Sequence, residues 1–354
     1  LFNIGYSYDV AGETDLAEEK FRAVLDRNPD HARANLNLGL ILEAQGKEED
    51  AMLHFRRAIE KEPNLALAHH NLAGLLRKQG KNEEALQHYT IALQADSENP
   101  NTPKNCGFLL TDMGRMEEAQ VMFETALALA PEDADAHVGL GDVLTAQGVL
   151  DKAQTHYETA LRLKPGYGIA LKQYGFLLMR QGKTAAALER FEQAVEILPG
   201  DAGIHCGYAD ALFAKGETEK AEQQYQRAIE LYPEFALAWN NYGDLLTRTG
   251  RTPDAIDAYN RALALEPANA NILLNLGRLY GREKRIEDAI ESLEAALRLE
   301  PDNLRVRALL GDMFMEKGDS QAALRAYQRV LLERPDWQDI REKAATVRQE
   351  QDTP

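Results

Sequence analysis

The residues able to do chemistry in this 354-residue chain are eight histidines, two cysteines and several close-set carboxylates. His69, His137 and His205 lie whole multiples of 34 apart, and so do His54, His88 and His156. Metal ligands must converge within a few Å, so regular spacing along the chain argues for an echo rather than a metal site. Gly182-Lys183-Thr184 resembles the end of a phosphate-binding loop, but the position of that loop's first glycine holds Leu177. Gly139-Leu140-Gly141 lacks a third glycine and a preceding strand, which removes a dinucleotide site. The clusters Glu48-Glu49-Asp50, Glu83-Glu84, Glu117-Glu118 and Glu287-Asp288 sit where helices begin, where carboxylates complement the helix dipole. No nucleophile, base and orienting group are set in an arrangement that would work together. The expectation is no catalytic residue, no metal and no cofactor.

Positions in the chain are set by a repeat. Prolines 29, 63, 131, 165, 199, 233, 267, 301 and 335 are spaced by 34 residues, with one gap of 68 where Ser97 holds the missing place. Such a period is the mark of a stacked repeat. With these prolines numbered position 32 of each copy, position 20 is Ala in all ten copies, from Ala17 to Ala323. Position 8 is Gly or Ala, position 15 is Gly except for Lys284, and position 24 is aromatic except for Leu293. Cys106 and Cys206 then stand three repeats apart, too far for a disulfide.

The copy spanning 236–269 reads as two helices. Trp239, Tyr242, Gly243 and Leu246 make one helical face, and Gly250 follows as a left-handed stop. Pro253 and Asp254 open a second helix, whose apolar face is Ala255, Tyr259, Ala262 and Leu263. Pro267 ends it. Gly243 and Ala255 are small so that the helices approach closely.

This pattern resembles the tetratricopeptide repeat over nearly the whole chain. The residues that carry the resemblance are Trp239, Gly243, Leu246, Ala255, Tyr259 and Pro267, with the 34-residue period. It implies an all-α, right-handed α-solenoid (a superhelix) of ten helix-turn-helix repeats plus a C-terminal capping helix. Ten tandem repeats are expected over 1–337, with boundaries near 32, 66, 100, 134, 168, 202, 236, 270 and 304. The first repeat is expected to be truncated, with an open apolar end. Residues 338–354 are expected to form the capping helix, with Ile340, Ala344 and Val347 on its inner face, and a tail. At the irregular third junction, Thr102 is expected to cap a helix begun at Pro103, about two residues later than in the other copies.

Lys plus Arg number 40 against 57 Asp plus Glu, a net charge of −17. That balance argues against nucleic acid and against an anionic membrane surface as partners. No run is long and apolar enough to span a bilayer, and the start lacks the order of a signal peptide. The expected compartment is the cytoplasm, with the periplasm left open because the chain does not begin with Met.

In this family the face formed by positions 2, 5, 6, 9, 12 and 13 of the first helix lines a concave, peptide-gripping groove. Charges at those positions sum to +1, so the acidity lies elsewhere. Position 6 is Asn at Asn3, Asn37, Asn71, Asn105, Asn241 and Asn275. The row is similar to the asparagine ladder in the repeats of O-linked N-acetylglucosamine transferases, where amides can pair with a peptide backbone. The other reading of these amides is a bond to the neighbouring repeat. Arg77, Lys78 and Lys104 form one basic spot, and Arg248, Arg278 and Arg282 another, suited to an acidic segment. Phe108, Val138, Phe176, Met179 and Phe213 place apolar groups on the same face. Lys172 and Arg180 complete the expected peptide-binding set. The chaperone-binding carboxylate clamp of the family does not fit, since position 9 is never Asn and position 6 never Arg.

These observations point to a non-catalytic scaffold or adaptor that binds protein partners through peptide segments. Two alternatives stand beside it: a substrate-recruiting arm of a larger enzyme such as a glycosyltransferase, and a scaffold that self-associates through its open N-terminal end.

Overall fold

The structure, a computed structural model, describes the backbone of residues 1–352 and side chains as far as Gln349. The tail residues 353–354 lie outside the described residues. Two compact units divide the chain, 1–177 and 178–354. The first holds α1 Phe2–Val10, α2 Thr14–Leu25, α3 Ala32–Ala44, α4 Glu48–Lys61, α5 Ala66–Lys78 and α6 Asn82–Ala95. It continues with α7 Asn101–Asp112, α8 Met116–Leu129, α9 Ala134–Ala146 and α10 Leu150–Leu163. The division falls within α11 Gly168–Arg180. The second unit has α12 Thr184–Ile197, α13 Ala202–Lys215, α14 Thr218–Leu231, α15 Ala236–Arg248 and α16 Thr252–Leu265. It ends with α17 Ala270–Arg282, α18 Ile286–Leu299, α19 Leu304–Lys317, α20 Ser320–Glu333 and α21 Gln338–Asp352. No strand occurs among the described residues.

Within each unit the helices pack as consecutive pairs, α1 on α2 through α9 on α10, and α13 on α14 through α19 on α20. In most pairs the contact between the helices is a ring seated on a glycine. A Cβ placed at Gly243 would lie 2.7 Å from Tyr259 Cε1, and one at Gly39 would lie 2.6 Å from Phe55 Cε1. Any side chain there would push the helices apart. Around this contact the position-20 alanines, such as Ala51 and Ala255, are fully buried, as are the rings of Phe55 and Tyr225.

Between the helices of a pair, Gly250 takes φ +77°. This left-handed geometry lets the Arg251 N–H bond back to the Leu246 carbonyl at 2.9 Å. Lys284 holds the same place with φ +60°, a conformation that costs a side-chain-bearing residue about 1–2 kcal/mol.

A second repeated device closes the junction between pairs. The position-4 side chain donates to the carbonyl of the proline six residues earlier: Asn35 Nδ2 to Pro29 O at 2.9 Å, His69 Nε2 to Pro63 O at 3.0 Å, and Trp239 Nε1 to Pro233 O at 2.9 Å. Three chemically different donors serve one orphaned loop acceptor.

The C-terminal helix closes its unit as the apolar spacing requires. Ile340, Ala344 and Val347 are buried against Ala323, Tyr327 and Val330. The third junction departs from expectation. The helix begins at Asn101 rather than Pro103, and Thr102 is a buried helical residue rather than a cap. The Asn99 side chain takes over the turn by accepting from the Asn101 N–H at 3.0 Å. Thr102 Oγ1 is instead 3.0 Å from His70 Nδ1 on α5. Pro103 sits in the first turn, where its missing N–H needs no partner.

Candidate functional site

Positions 3, 7, 8, 10 and 11 of the first helices are buried, as Ala34, Leu38, Gly39, Ile41 and Leu42 illustrate on α3. The remaining face carries the polar row. Asn37, Asn71, Asn105, Asn241 and Asn275 are all half-buried. The amides of Asn71, Asn105, Asn241 and Asn275 are engaged within the protein. Asn71 Nδ2 donates to Leu67 O on its own helix at 2.7 Å, and Asn105 Nδ2 lies 3.3 Å from His70 Nε2 of the preceding pair. Asn241 Nδ2 reaches Asp210 Oδ1 at 3.0 Å, and Asn275 Nδ2 reaches Asn240 Oδ1 at 3.1 Å. These last three amides stitch one repeat to the next.

In the first unit the basic residues are neutralised in place. Arg77 Nε donates to Asp112 Oδ2 at 2.7 Å, Lys78 Nζ to Glu48 Oε1 at 2.8 Å, and Lys104 Nζ to Asp133 Oδ2 at 2.7 Å. The last pair is well shielded, with side chains 14% and 17% exposed. Asp133 also caps α9 by accepting from the Ala136 N–H at 3.0 Å. The half-buried Phe108 ring meets Phe123 edge-on at 4.9 Å and lies 5.8 Å from the Arg77 guanidinium. Val138 is buried, while Lys172 and Phe176 are half-buried.

The second unit is different. Met179 is half-buried and Arg180 exposed. Further along, α13, α15 and α17 bring Phe213, Arg248, Asn275, Arg278 and Arg282 around one open cleft of about 300 Å³. Arg278 and Arg282 are one helical turn apart on α17. Arg248 comes from the end of α15, its guanidinium 4.2 Å from the centre of the Phe213 ring. A guanidinium resting on a ring keeps its N–H edges free for another acceptor. Among the described residues, no carboxylate pairs with Arg248, Arg278 or Arg282.

The cleft's own acid is Asp244, and it is otherwise employed. Tyr259 Oη donates to its carboxylate at 2.5 Å. Burial raises the Asp244 pKa above the ordinary aspartate value, against the pull of the tyrosine bond and Arg278. The same arrangement recurs as Tyr157 with Asp142, Tyr225 with Asp210 and Tyr327 with Asp312, at 2.6 to 2.7 Å. In two of them the next repeat adds an amide, Gln173 to Asp142 at 2.9 Å and Asn241 to Asp210 at 3.0 Å. Sequence reasoning missed this network. Its signal was present: Asp stands at position 9 only in copies with Tyr at position 24.

The remaining chemistry-bearing groups serve the fold. His69 donates through Nε2 to Pro63 O, so its Nδ1 accepts from the His88 Nδ1–H at 2.7 Å. His137 and His156 repeat the pair at 2.9 Å. Pairs therefore form within a repeat, between positions 4 and 23. No cluster of three or more metal-ligating side chains occurs among the described residues. Both cysteines are buried free thiols, and burial pushes the Cys106 pKa up to about 11. No described helix is long and apolar enough to cross a membrane. At the N-terminal end Leu1, Ile4, Tyr6 and Val10 are exposed by 44–72%.

Comparison with known proteins adds the family setting. Residues 2–66 and 110–174 match family profiles described as tetratricopeptide repeat, and residues 67–133 match one described as YpiA-like, C-terminal tetratricopeptide repeats. Residues 169–349, about half of the chain, match the profile described as cilia and flagella-associated protein 70 C-terminal domain. A search of the curated proteins finds no significant match. Among solved structures the chain is similar to the APC/C hetero-tetramer Cut9-Hcn1, with TM-score 0.63 and 16% identity over 98% of this chain and 75% of that one. It is similar to a tetratricopeptide repeat protein from Parabacteroides merdae, with TM-score 0.57 and 18% identity over 71% and 98% of the two chains. The pilF protein of Pseudomonas aeruginosa gives TM-score 0.54 and 19% identity over 60% and 97%. At these identities the likeness is one of fold.

Proposed function

The chain belongs to the tetratricopeptide-repeat family, and from that premise we propose that it is a non-catalytic scaffold receiving an extended partner segment on the first-helix face of its second unit. Repeats of this fold commonly mediate protein–protein contact. One observation carries the choice of place: a cleft in which three arginines converge and form no ion pair among the described residues, its one acid, Asp244, being half-buried and bonded to Tyr259, in a chain of net charge −17. Elsewhere the groove cations Arg77, Lys78 and Lys104 are already paired. Clustered cations repel one another and weigh against the fold. A partner that supplies the missing negative charge would remove that repulsion. The half-buried Phe213 and the Asn275 amide provide apolar and hydrogen-bonding contact beside the arginines.

The experiment is to select binders from random twelve-residue peptides displayed on phage, using the full chain as bait. Amide hydrogen exchange then maps a selected peptide. The expected result is added protection in α13, α15 and α17. Protection confined to the second helices α14, α16 and α18, or to the first unit, would overturn the assignment.

A further inference from the structure

Arg278 lines two neighbouring cavities at once. One is the arginine cleft with Phe213, Arg248 and Arg282. The other, about 340 Å³, lies further along the chain between α17, α19 and α21, where Leu274, Leu309, Ile340 and Trp337 supply apolar wall. The second cavity also contains Asp312 and Asp339, and Lys343 Nζ pairs with both, 3.0 Å from Asp312 and 3.1 Å from Asp339, offsetting one of their two charges. Arg305, at the same mouth, has no carboxylate partner among the described residues. Two unlike subsites therefore adjoin across a shared guanidinium: one cationic, one apolar with a cationic lip.

We propose, on the basis of the groove assignment above, that this surface selects a peptide segment carrying both an acidic side chain and an apolar side chain. Arg248, Arg278 and Arg282 take the carboxylate, and the Leu274–Leu309–Ile340–Trp337 cavity takes the apolar group. The charge requirement follows from the unpaired guanidiniums, which bind carboxylate edge-on through two parallel N–H bonds. Cavities of about 300 and 340 Å³ admit single side chains. A duplex or a bilayer would bring a broad anionic surface against a protein that is itself strongly acidic.

The composition of the selected peptides tests this separately from the location of binding. Peptides enriched in Asp or Glu together with Leu, Ile or Phe are the expected result. A labelled synthetic copy should then lose roughly tenfold or more in affinity with Arg278→Ala, the size expected for one charge-assisted contact. It should lose a similar factor when its own apolar residue becomes alanine, and bind normally to the distant control Glu83→Ala. Circular dichroism checks that each variant is folded, which exposed arginines favour. Neutral or basic peptides that nonetheless protect α15 and α17 would overturn the acidic–apolar motif and leave the groove assignment standing. Acidic peptides indifferent to Arg278→Ala and to an Arg248→Glu, Arg282→Glu double variant would overturn the subsite. Arginine-dependent binding of duplex DNA or phosphatidylserine vesicles as tight as that of the peptide would also overturn it, and so would a homodimer abolished by the same double variant.

Discussion

The hydroxyl of Tyr225 donates a 2.6 Å hydrogen bond to the carboxylate of Asp210, fifteen residues earlier and on the partner helix of the same repeat. Asn241 from the following repeat binds the same oxygen at 3.0 Å. One half-buried acid thus ties both helices of its own pair to the next pair. Burial raises the Asp210 pKa, while Tyr225 and Asn241 oppose that rise.

The carboxylate depends on its donors. Tyr225→Phe is expected to destabilise the second unit by about 1–3 kcal/mol, because a buried acceptor loses a partner without losing its burial. Asp210→Asn in that background should restore much of the loss, since the neutral amide is easier to bury. Urea unfolding of the two single variants and the double variant measures the coupling; strictly additive effects would contradict it.

The glycine contacts give opposite signs at two sites. Gly243→Ala places a methyl 2.7 Å from the Tyr259 ring and should cost about 1–3 kcal/mol. Lys284→Gly relieves the φ +60° backbone and loses only the exposed ion pair to Glu316. It should stabilise by about 0.5–1 kcal/mol. Thermal unfolding of both variants is the check.

The histidine pairs make stability fall on the acid side. Burial lowers the pKa of His69, His88 and His156 below the ordinary 6.5. Near His88, Glu84 works against the shift while His69 and Arg56 add to it. The unfolded chain therefore binds protons more readily than the folded one. Stability from these groups is complete above about pH 6.5 and is lost as pH falls from there toward the folded pKa. The half-buried Asp142, Asp210 and Asp244 have raised values and contribute with the opposite sign, losing stability as pH rises through their folded pKa. His88→Gln with His156→Gln isolates the histidine part, because Gln224 already fills that position opposite His205 at 2.7 Å. Between pH 7.5 and 5.5 the wild type should lose more stability than this double variant. Equal losses would contradict the assignment.

Much of the fold was legible because its determinants repeat. Gly243 facing Tyr259, Gly250 as a left-handed stop and Ile340, Ala344 and Val347 on one face are local consequences of residue type at fixed offsets. The Asn101 helix start was not, because the Asn99 side chain replaced the cap expected from Thr102. The groove was only partly legible. Position in the repeat placed Arg77, Lys104 and Arg278 on one face, but charge balance there depends on residues about thirty positions away. Asp112 at the end of α7 and Asp133 at the junction before α9 form ion pairs with Arg77 and Lys104, while no carboxylate forms an ion pair with Arg278 among the described residues. The histidine spacing indicated an echo of the repeat, but pairing across the helix hairpin emerged only when helix and partner were both in place.

The dissociation constant of a selected peptide, measured by titration against Phe213→Ala, Asn275→Ala and the distant Glu83→Ala, tests the central claim most directly. Loss of about 2 kcal/mol or more at Phe213, about 0.5–1.5 kcal/mol at Asn275, and no change at Glu83 is the predicted result. Unchanged binding to both groove variants, with binding lost in Glu83→Ala, would place the working surface elsewhere.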